Sequence, residues 1–423
     1  MADKWHVIYE QIKNYIALNP GIKISPSVVF IGSDKRTEFY KLFDALRTEF
    51  VKEYFPAELE KSYELSRNWK VASRTLIDDM HLEAINTHVG VKWFLSNPVE
   101  GLNRGLDNLL FDLLKNRLDI DVFKDRAIQV VSSDYQRYFR EGYKLWAIIS
   151  LIKLLEGDKI YTVMAVDERI DSTMLEADPG IGIYEDDIPE AKETNEIIFE
   201  NVDVCSFLTP RIIIHSKLLN RFITLRPDFY QAHWKARLLS ENQEWFDKKT
   251  INKDFGESNL WPDLAIYSAN NLRDLRLIAD YHKVARPDII IDFEEKDTWP
   301  KTDVIASIKQ HYDTLKPKLG AFMISRTPMP QLVMTELKLE PQLQNSIITD
   351  STDDKYKSAS EQLVVEIEPN IEEVSEISKT NELNINYMQE QERNINLISA
   401  GFDIDRLRSI IDILKDAIHP TNK

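Results

Sequence analysis

Apolar residues recur at helical spacing through the first third of the chain. Phe39, Leu42, Phe43, Leu46 and Phe50 put one apolar face on a helix over 36–54. Leu102, Leu106, Leu109, Leu110, Leu113 and Leu114 predict a second helix over 102–118. Between Gly142 and Leu155 the apolar positions (Tyr143, Leu145, Trp146, Ile149, Leu151, Ile152, Leu154, Leu155) surround the helix. That pattern predicts a central, buried helix, which Gly157-Asp158 should end. No fixed period repeats, so a solenoid is not expected.

After Gly157 the texture changes. Residues 160–166, 211–215 and 222–225 are short, β-branched or aromatic and bounded by turn residues, as strands are. The stretch 171–201, rich in acids, Pro and Gly, reads as a loop or lid. From Trp261 onward the pattern alternates: strands at 264–267, 288–293 and 319–325, helices at 271–281 and 302–315. Val304, Ile305, Ile308, Tyr312 and Leu315 share one face of the last helix, and Pro317 stops it. Such alternation implies a parallel or mixed sheet with helices packed on it. Further strands are expected at 332–337 and 363–367, separated by a polar linker at 344–360. Asp403 then stands as a cap before a helix whose stripe is Leu407, Ile410, Ile411, Leu414 and Ile418. The expected fold class is α+β: a helical N-terminal domain (1–157), a central domain with an α/β-type mixed sheet (158–335), and an acidic linker with a C-terminal docking helix (336–423). Behind such a linker, the striped helix is expected to dock on a protein partner or a second copy of the chain.

Composition narrows the function classes. With 43% hydrophobic and 10% aromatic residues over 423 positions, the chain can bury real cores. The most apolar run, 145–155, is broken by Lys153 and too short to cross a bilayer. The first residues, Met-Ala-Asp-Lys-Trp-His, lack the apolar core of a signal peptide. A single cysteine, Cys205, excludes intramolecular disulfides and cysteine-cluster zinc sites. These features predict a cytoplasmic protein with no membrane partner. The net charge of -17 argues against a nucleic-acid surface covering the whole molecule, but acid is unevenly spread. From Glu336 to Arg393 there are 14 acidic and 5 basic residues.

The richest chemistry lies around Pro287-Asp288. Ile289–Ile291 is followed by Asp292-Phe293-Glu294-Glu295-Lys296. Side chains alternate along a strand, so Asp292 and Glu294 share a face and Lys296 returns to it. Asp263, from the other Pro-Asp pair, can be supplied by a neighbouring strand. Carboxylates at Asp263, Asp292 and Glu294 can hold Mg²⁺ or Mn²⁺ while Lys296 orients or deprotonates a water, a set suited to phosphodiester hydrolysis. The plainer reading of the same run is a solvated turn at the mouth of a sheet. Over about residues 258–326 the chain resembles the restriction-endonuclease-like nucleases, whose pattern is Pro-Asp followed by Asp/Glu-X-Lys on the next strand. The resemblance matches Glu294-Glu295-Lys296 to the second motif and places Gln310 on the following helix and 321–324 in the later strand. In that family the two motif strands usually form a hairpin, whereas here a helix is expected between Asp263 and Asp292.

A second constellation spans Arg211 to Leu239, where Asp228 is the only acid. Arg221, Arg226, Lys235 and Arg237, interleaved with Phe222, Tyr230 and Trp234, suit phosphate contact and base stacking on an exposed basic face. The alternative is that the aromatics are core and the cations pair with carboxylates. No nucleophile elbow, Walker loop or dinucleotide-binding glycine pattern occurs, and His215, His233, His282 and His311 show no zinc spacing. Two functions follow as expectations. One is a metal-dependent nuclease-like enzyme acting on DNA or RNA, with Asp292, Glu294 and Lys296 catalytic. The other is a non-catalytic subunit or scaffold of a multiprotein assembly.

Overall fold

The computed structural model describes residues 4–163, 190–199, 212–227, 245–247, 262–275, 283–297, 304–328 and 393–418. The first part is helical: α1 (Lys4–Leu18), a short hairpin of β1 (Ile22–Ile24) and β2 (Val29–Ile31), then α2 (Arg36–Tyr54) and α3 (Pro56–Met80). Pro56 starts α3 because its fixed φ suits a first helical turn, and His81 ends it in the left-handed region. Strand β3 (Ala84–Asn86), α4 (Val89–Ser96), α5 (Pro98–Asn103) and α6 (Asp107–Leu114) follow. The single helix expected over 102–118 is thus broken, with a 3₁₀ turn at Arg104–Leu106. The chain runs so close to the next helix there that a Cβ on Gly105 would lie 2.7 Å from Asp134 Oδ2 and 2.8 Å from Val130 Cγ1.

Helix α7 (Ile120–Leu154) is far longer than the segment expected from its apolar half. Phe123, Ala127 and Val131 bury one face of its first half, whereas every residue from Gly142 to Ile152 is buried. It ends in a left-handed residue that is Glu156 rather than the glycine beside it. Strand β4 (Gly157–Val163) then leads into an eight-stranded sheet.

The sheet also contains β5 (Ala191–Thr194), β7 (Ile213–Ser216), β8 (Arg221–Pro227), β10 (Leu264–Ala269), β12 (Ile289–Glu294), β13 (Gly320–Ser325) and β14 (Ile395–Ser399). Its order is β14-β13-β12-β10-β8-β7-β4-β5. All neighbours from β5 to β12 are antiparallel, and β12-β13-β14 are parallel. Two small ladders stand apart: β3 with β6 (Glu196–Ile198), and β9 (Trp245–Asp247) with β11 (Lys283–Ala285). Strands β5 and β6 replace part of the loop expected at 171–201, and the rest of that stretch lies outside the described residues. The helix expected at 271–281 is, where described, a 3₁₀ turn at Leu272–Leu275. Helix α8 (Val304–Leu315) crosses from β12 to β13. The strands expected at 332–337 and 363–367, the linker at 344–360 and Cys205 lie outside the described residues.

Alternation along the strands separates two cores. Ile214, Ile223, Leu225, Leu264, Ile266, Ile289, Ile291 and Phe293 join the cluster that contains α7 and the N-terminal helices. Ile213, Ala265, Tyr267, Ile290, Ala321 and Met323 face α8 through Ile305, Ile308 and Leu315.

The C-terminal helix departs from the expectation of a docking helix. Leu407, Ile410, Ile411 and Leu414, on a 3₁₀ turn and α9 (Arg408–Ile418), are at most 3% exposed and belong to the same core as α7. Phe402 packs edge-on against Tyr143 and Trp146 of α7, at 5.7 and 5.2 Å between ring centres. Asp403 does act as the cap, accepting the Asp405 amide at 3.0 Å. The stripe docks on this chain's own body rather than on a partner, because its apolar residues join the core to which the buried residues of α7 belong. No described helix is long and apolar enough to cross a membrane.

Candidate functional site at the end of the central strands

Strands β10 and β12 are antiparallel neighbours, with Leu264 opposite Ile291. The start of one therefore lies beside the end of the other, and Asp263 meets Asp292 and Glu294. Asp292 Oδ1 accepts the Asp263 amide at 3.2 Å, and Asp263 Oδ2 accepts the Phe293 amide at 3.0 Å. The carboxylates thus extend the ladder by one rung where the backbones separate, which satisfies amides that would otherwise be buried unpaired.

Both carboxylates are engaged further. Arg140, on α7, places Nη2 3.0 Å from each oxygen of Asp263. That carboxylate, with burial opposing it, is the largest influence raising the Arg140 guanidinium above its ordinary value. His311, on α8, holds Nδ1 2.7 Å from Asp292 Oδ2. Glu294 Oε1 turns back to accept the Lys296 amide at 3.0 Å, and Lys296 itself is exposed. Burial pushes the Glu294 carboxyl up, against the pull of Lys296 and Arg140.

Glu295 points to the α7 side, as alternation requires, and is 5% exposed. Burial raises its carboxyl, with Arg140 opposing, and its Oε2 has no hydrogen-bond partner among the described residues. Tyr143, fully buried on α7, likewise leaves its hydroxyl without one, and burial raises it strongly. Arg326 closes this side. Its Nε donates to the Glu295 carbonyl at 2.9 Å, its guanidinium lies 5.5 Å from the Phe139 ring centre, and it pairs with Asp297, which also pairs with Lys61. Asp288 works at the opposite end of the strand, accepting the Ser268 amide and hydroxyl at 2.6 and 2.7 Å, with Lys318 at 3.2 Å.

Four of the expected residues, Asp263, Asp292, Glu294 and Lys296, are therefore brought to one end of the sheet. The donor set as arranged does not fit a divalent cation. The oxygens of Asp263 and Asp292 accept bonds from Arg140, His311 and two amides, and no three His, Cys, Asp or Glu side chains among the described residues gather as a metal cage.

The basic constellation divides. Arg221 is half-buried at the start of β8, and Lys235 and Arg237 lie outside the described residues. Arg226 is 6% exposed, so it is no part of an exposed basic face. Its strand position explains why: Arg226 lies opposite Ala265, which lies opposite Ile290, on the sheet face that α8 covers. That is also the face of Asp292.

Arg140 goes unnamed in the sequence reading, and His311 and Glu295 carry no site role in it. Arg140 sits far upstream on α7, two residues before the apolar segment in which the sequence predicts a helix. His311 is adjacent to Gln310, the position the nuclease resemblance draws attention to. A cleft of about 650 Å³ between α2, α3 and α5, lined by Arg47, Lys52, Asn103 and Arg104, contains none of these residues. Comparison with protein-family models, with curated proteins and with solved structures finds no match.

Proposed function

We propose that the chain is a nuclease-like protein that acts on DNA or RNA at the end of β10 and β12. The observation that supports this reading is the amide-to-carboxylate contact between Asp263 and Asp292 on adjacent antiparallel strands. The resemblance calls for a Pro-Asp strand beside an Asp/Glu-X-Lys strand, and the expected helix between them does not separate them. Helix α8, followed by a strand parallel to β12, agrees with the rest of that pattern. Lys296, exposed beside Glu294, is the group placed to meet a phosphodiester.

The test mixes purified chain with labelled DNA and RNA in Mg²⁺ or Mn²⁺ and compares Lys296→Ala. Cutting that falls at least tenfold in the variant, at an unchanged melting temperature, is the expected result. Absence of both cutting and binding would leave the second reading, a non-catalytic subunit of a larger assembly. One observation favours that reading: the two aspartates already bond within the fold.

A further inference from the structure

We propose that the cleft between α3 and the α4–α5 turn binds a nucleoside phosphate, with the base against Tyr63 and the phosphate between Arg67 and Lys70. This goes beyond the strand-end site and does not depend on it. The cleft holds about 570 Å³ and is lined by Tyr63, Ser66, Arg67 and Lys70 of α3, with Ser96 and Asn97 on the other side. A volume of that order is what small-molecule sites offer. Tyr63 and Asn97 also line the cleft of about 650 Å³ described above, so the two clefts share a wall.

Helical spacing puts these groups together. Tyr63, Arg67, Lys70 and Arg74 recur at steps of four, three and four, so they share one face of α3. From Leu65 to Ile77 the helix carries Arg67, Lys70 and Arg74 and no acid, in a chain of net charge -17. Arg67 and Arg74 are exposed and have no ion pair or hydrogen bond among the described residues. Like charges at i, i+3 and i, i+4 weaken a helix, so the row does nothing for α3 itself. Glu60, the one acid lining the cleft among the described residues, stands about two turns from Arg67.

The walls are joined before any ligand arrives. Lys70 Nζ donates to the Ser96 carbonyl at 2.8 Å, which holds the ammonium at the cleft and leaves its other N–H groups for an anion. Ser66 Oγ donates to the Leu95 carbonyl at 2.6 Å. An ammonium and a guanidinium about one turn apart match the oxygens of one phosphate. Tyr63 is 44% exposed, and its ring is open to a flat partner such as a base. An acidic side chain would meet the same cations but gain nothing from the ring.

The experiment is calorimetric titration of ATP, a short oligothymidylate and inorganic phosphate into the full chain, for the wild type, Tyr63→Ala, Arg67→Ala and Arg74→Ala. All three positions are exposed, and circular dichroism melts report that each variant folds. Arg67→Ala is expected to weaken nucleotide binding at least about tenfold. Tyr63→Ala should weaken it at least about fivefold and leave phosphate binding unchanged. No binding of ATP or oligothymidylate by the wild type overturns the proposal, as does nucleotide affinity that is unchanged in Arg67→Ala or no greater than that for phosphate. Arg74, further along the face, separates the two sources of the ligand. Tighter binding of ATP, indifferent to Arg74→Ala, assigns a free nucleotide. Tighter binding of oligothymidylate, weakened in Arg74→Ala, assigns a nucleic-acid strand. The nuclease reading fails separately: binding here with no nucleic acid cut keeps the inference and removes that function, and cutting with no binding here does the reverse.

Discussion

Asp263 and Asp292 hold each other across the separating ends of two strands. The amide of Asp263 donates to Asp292 Oδ1 at 3.2 Å, and Asp263 returns the contact by accepting the amide of Phe293, the next residue after Asp292, at 3.0 Å. The pair therefore has a structural duty whatever chemistry it carries. A variant at either position must be tested for folding before any loss of activity is interpreted.

That duty gives a double-mutant cycle. Asp263→Ala leaves the Phe293 amide without its acceptor, and Asp292→Ala does the same to the Asp263 amide and removes the contact of His311. Each single change is expected to cost about 1–3 kcal/mol in urea unfolding. Because the two separate bonds close the same rung at the ends of adjacent strands, the double variant should fall short of the sum by about 0.5–3 kcal/mol. Strict additivity would show that the two act independently.

Truncation after Ser399 removes Leu407, Ile410, Ile411 and Leu414 from the α7 core. At roughly 1.5–3 kcal/mol for each buried side chain the loss is about 6–12 kcal/mol. A domain's whole stability is about 5–15 kcal/mol. The shortened chain should therefore lose its cooperative thermal transition. A sharp melt near the wild-type temperature would contradict this and restore the partner-docking expectation.

Glu295 should make stability fall with rising pH. Burial raises its carboxyl above the ordinary value of 4.5, so the folded chain binds this proton more tightly than the unfolded chain does. Its contribution is complete below about 4.5 and is lost as pH rises through the folded-state value. Glu295→Gln abolishes the titration. The variant should melt higher than the wild type at pH 7, and the difference should shrink as the pH is lowered towards 4. A gap that does not depend on pH would assign the effect to packing instead.

At Gly105 a side chain must displace Asp134 or Val130 on α7. Gly105→Val is expected to destabilise by about 1–3 kcal/mol through overpacking, read from the urea midpoint. A neutral result would mean that the 3₁₀ turn there shifts freely.

Much of the fold was legible because local pattern and burial agree. The helix over Arg36–Tyr54 and the strands around Ile289–Ile291 and Ala321–Ile324 follow from spacing alone. The break at 104–106 was not legible, because its cause is the approach of α7, a contact distant in sequence. Nor was the placement of Arg226: a basic residue between aromatics reads as surface, and only the register with Ala265 and Ile290 shows that α8 covers it. Of the site, the convergence of Asp263 with Asp292, Glu294 and Lys296 could be argued from alternation and a neighbouring strand. The arginine at Asp263 could not, since nothing in the local sequence of α7 distinguishes Arg140 from any other helical arginine.

The last sheet strand has a consequence for biosynthesis. Strand β14 pairs with β13 and leads directly into the helix that packs on α7, yet both are made long after β13 leaves the ribosome. Until they emerge, β13 lacks the partner strand β14, and the core around α7 lacks Leu407, Ile410, Ile411 and Leu414. An open edge is a template for pairing with another chain. A polysome translating this message therefore holds several copies in that state side by side, and chaperone occupancy on the ribosome should persist until residues 395–418 are out.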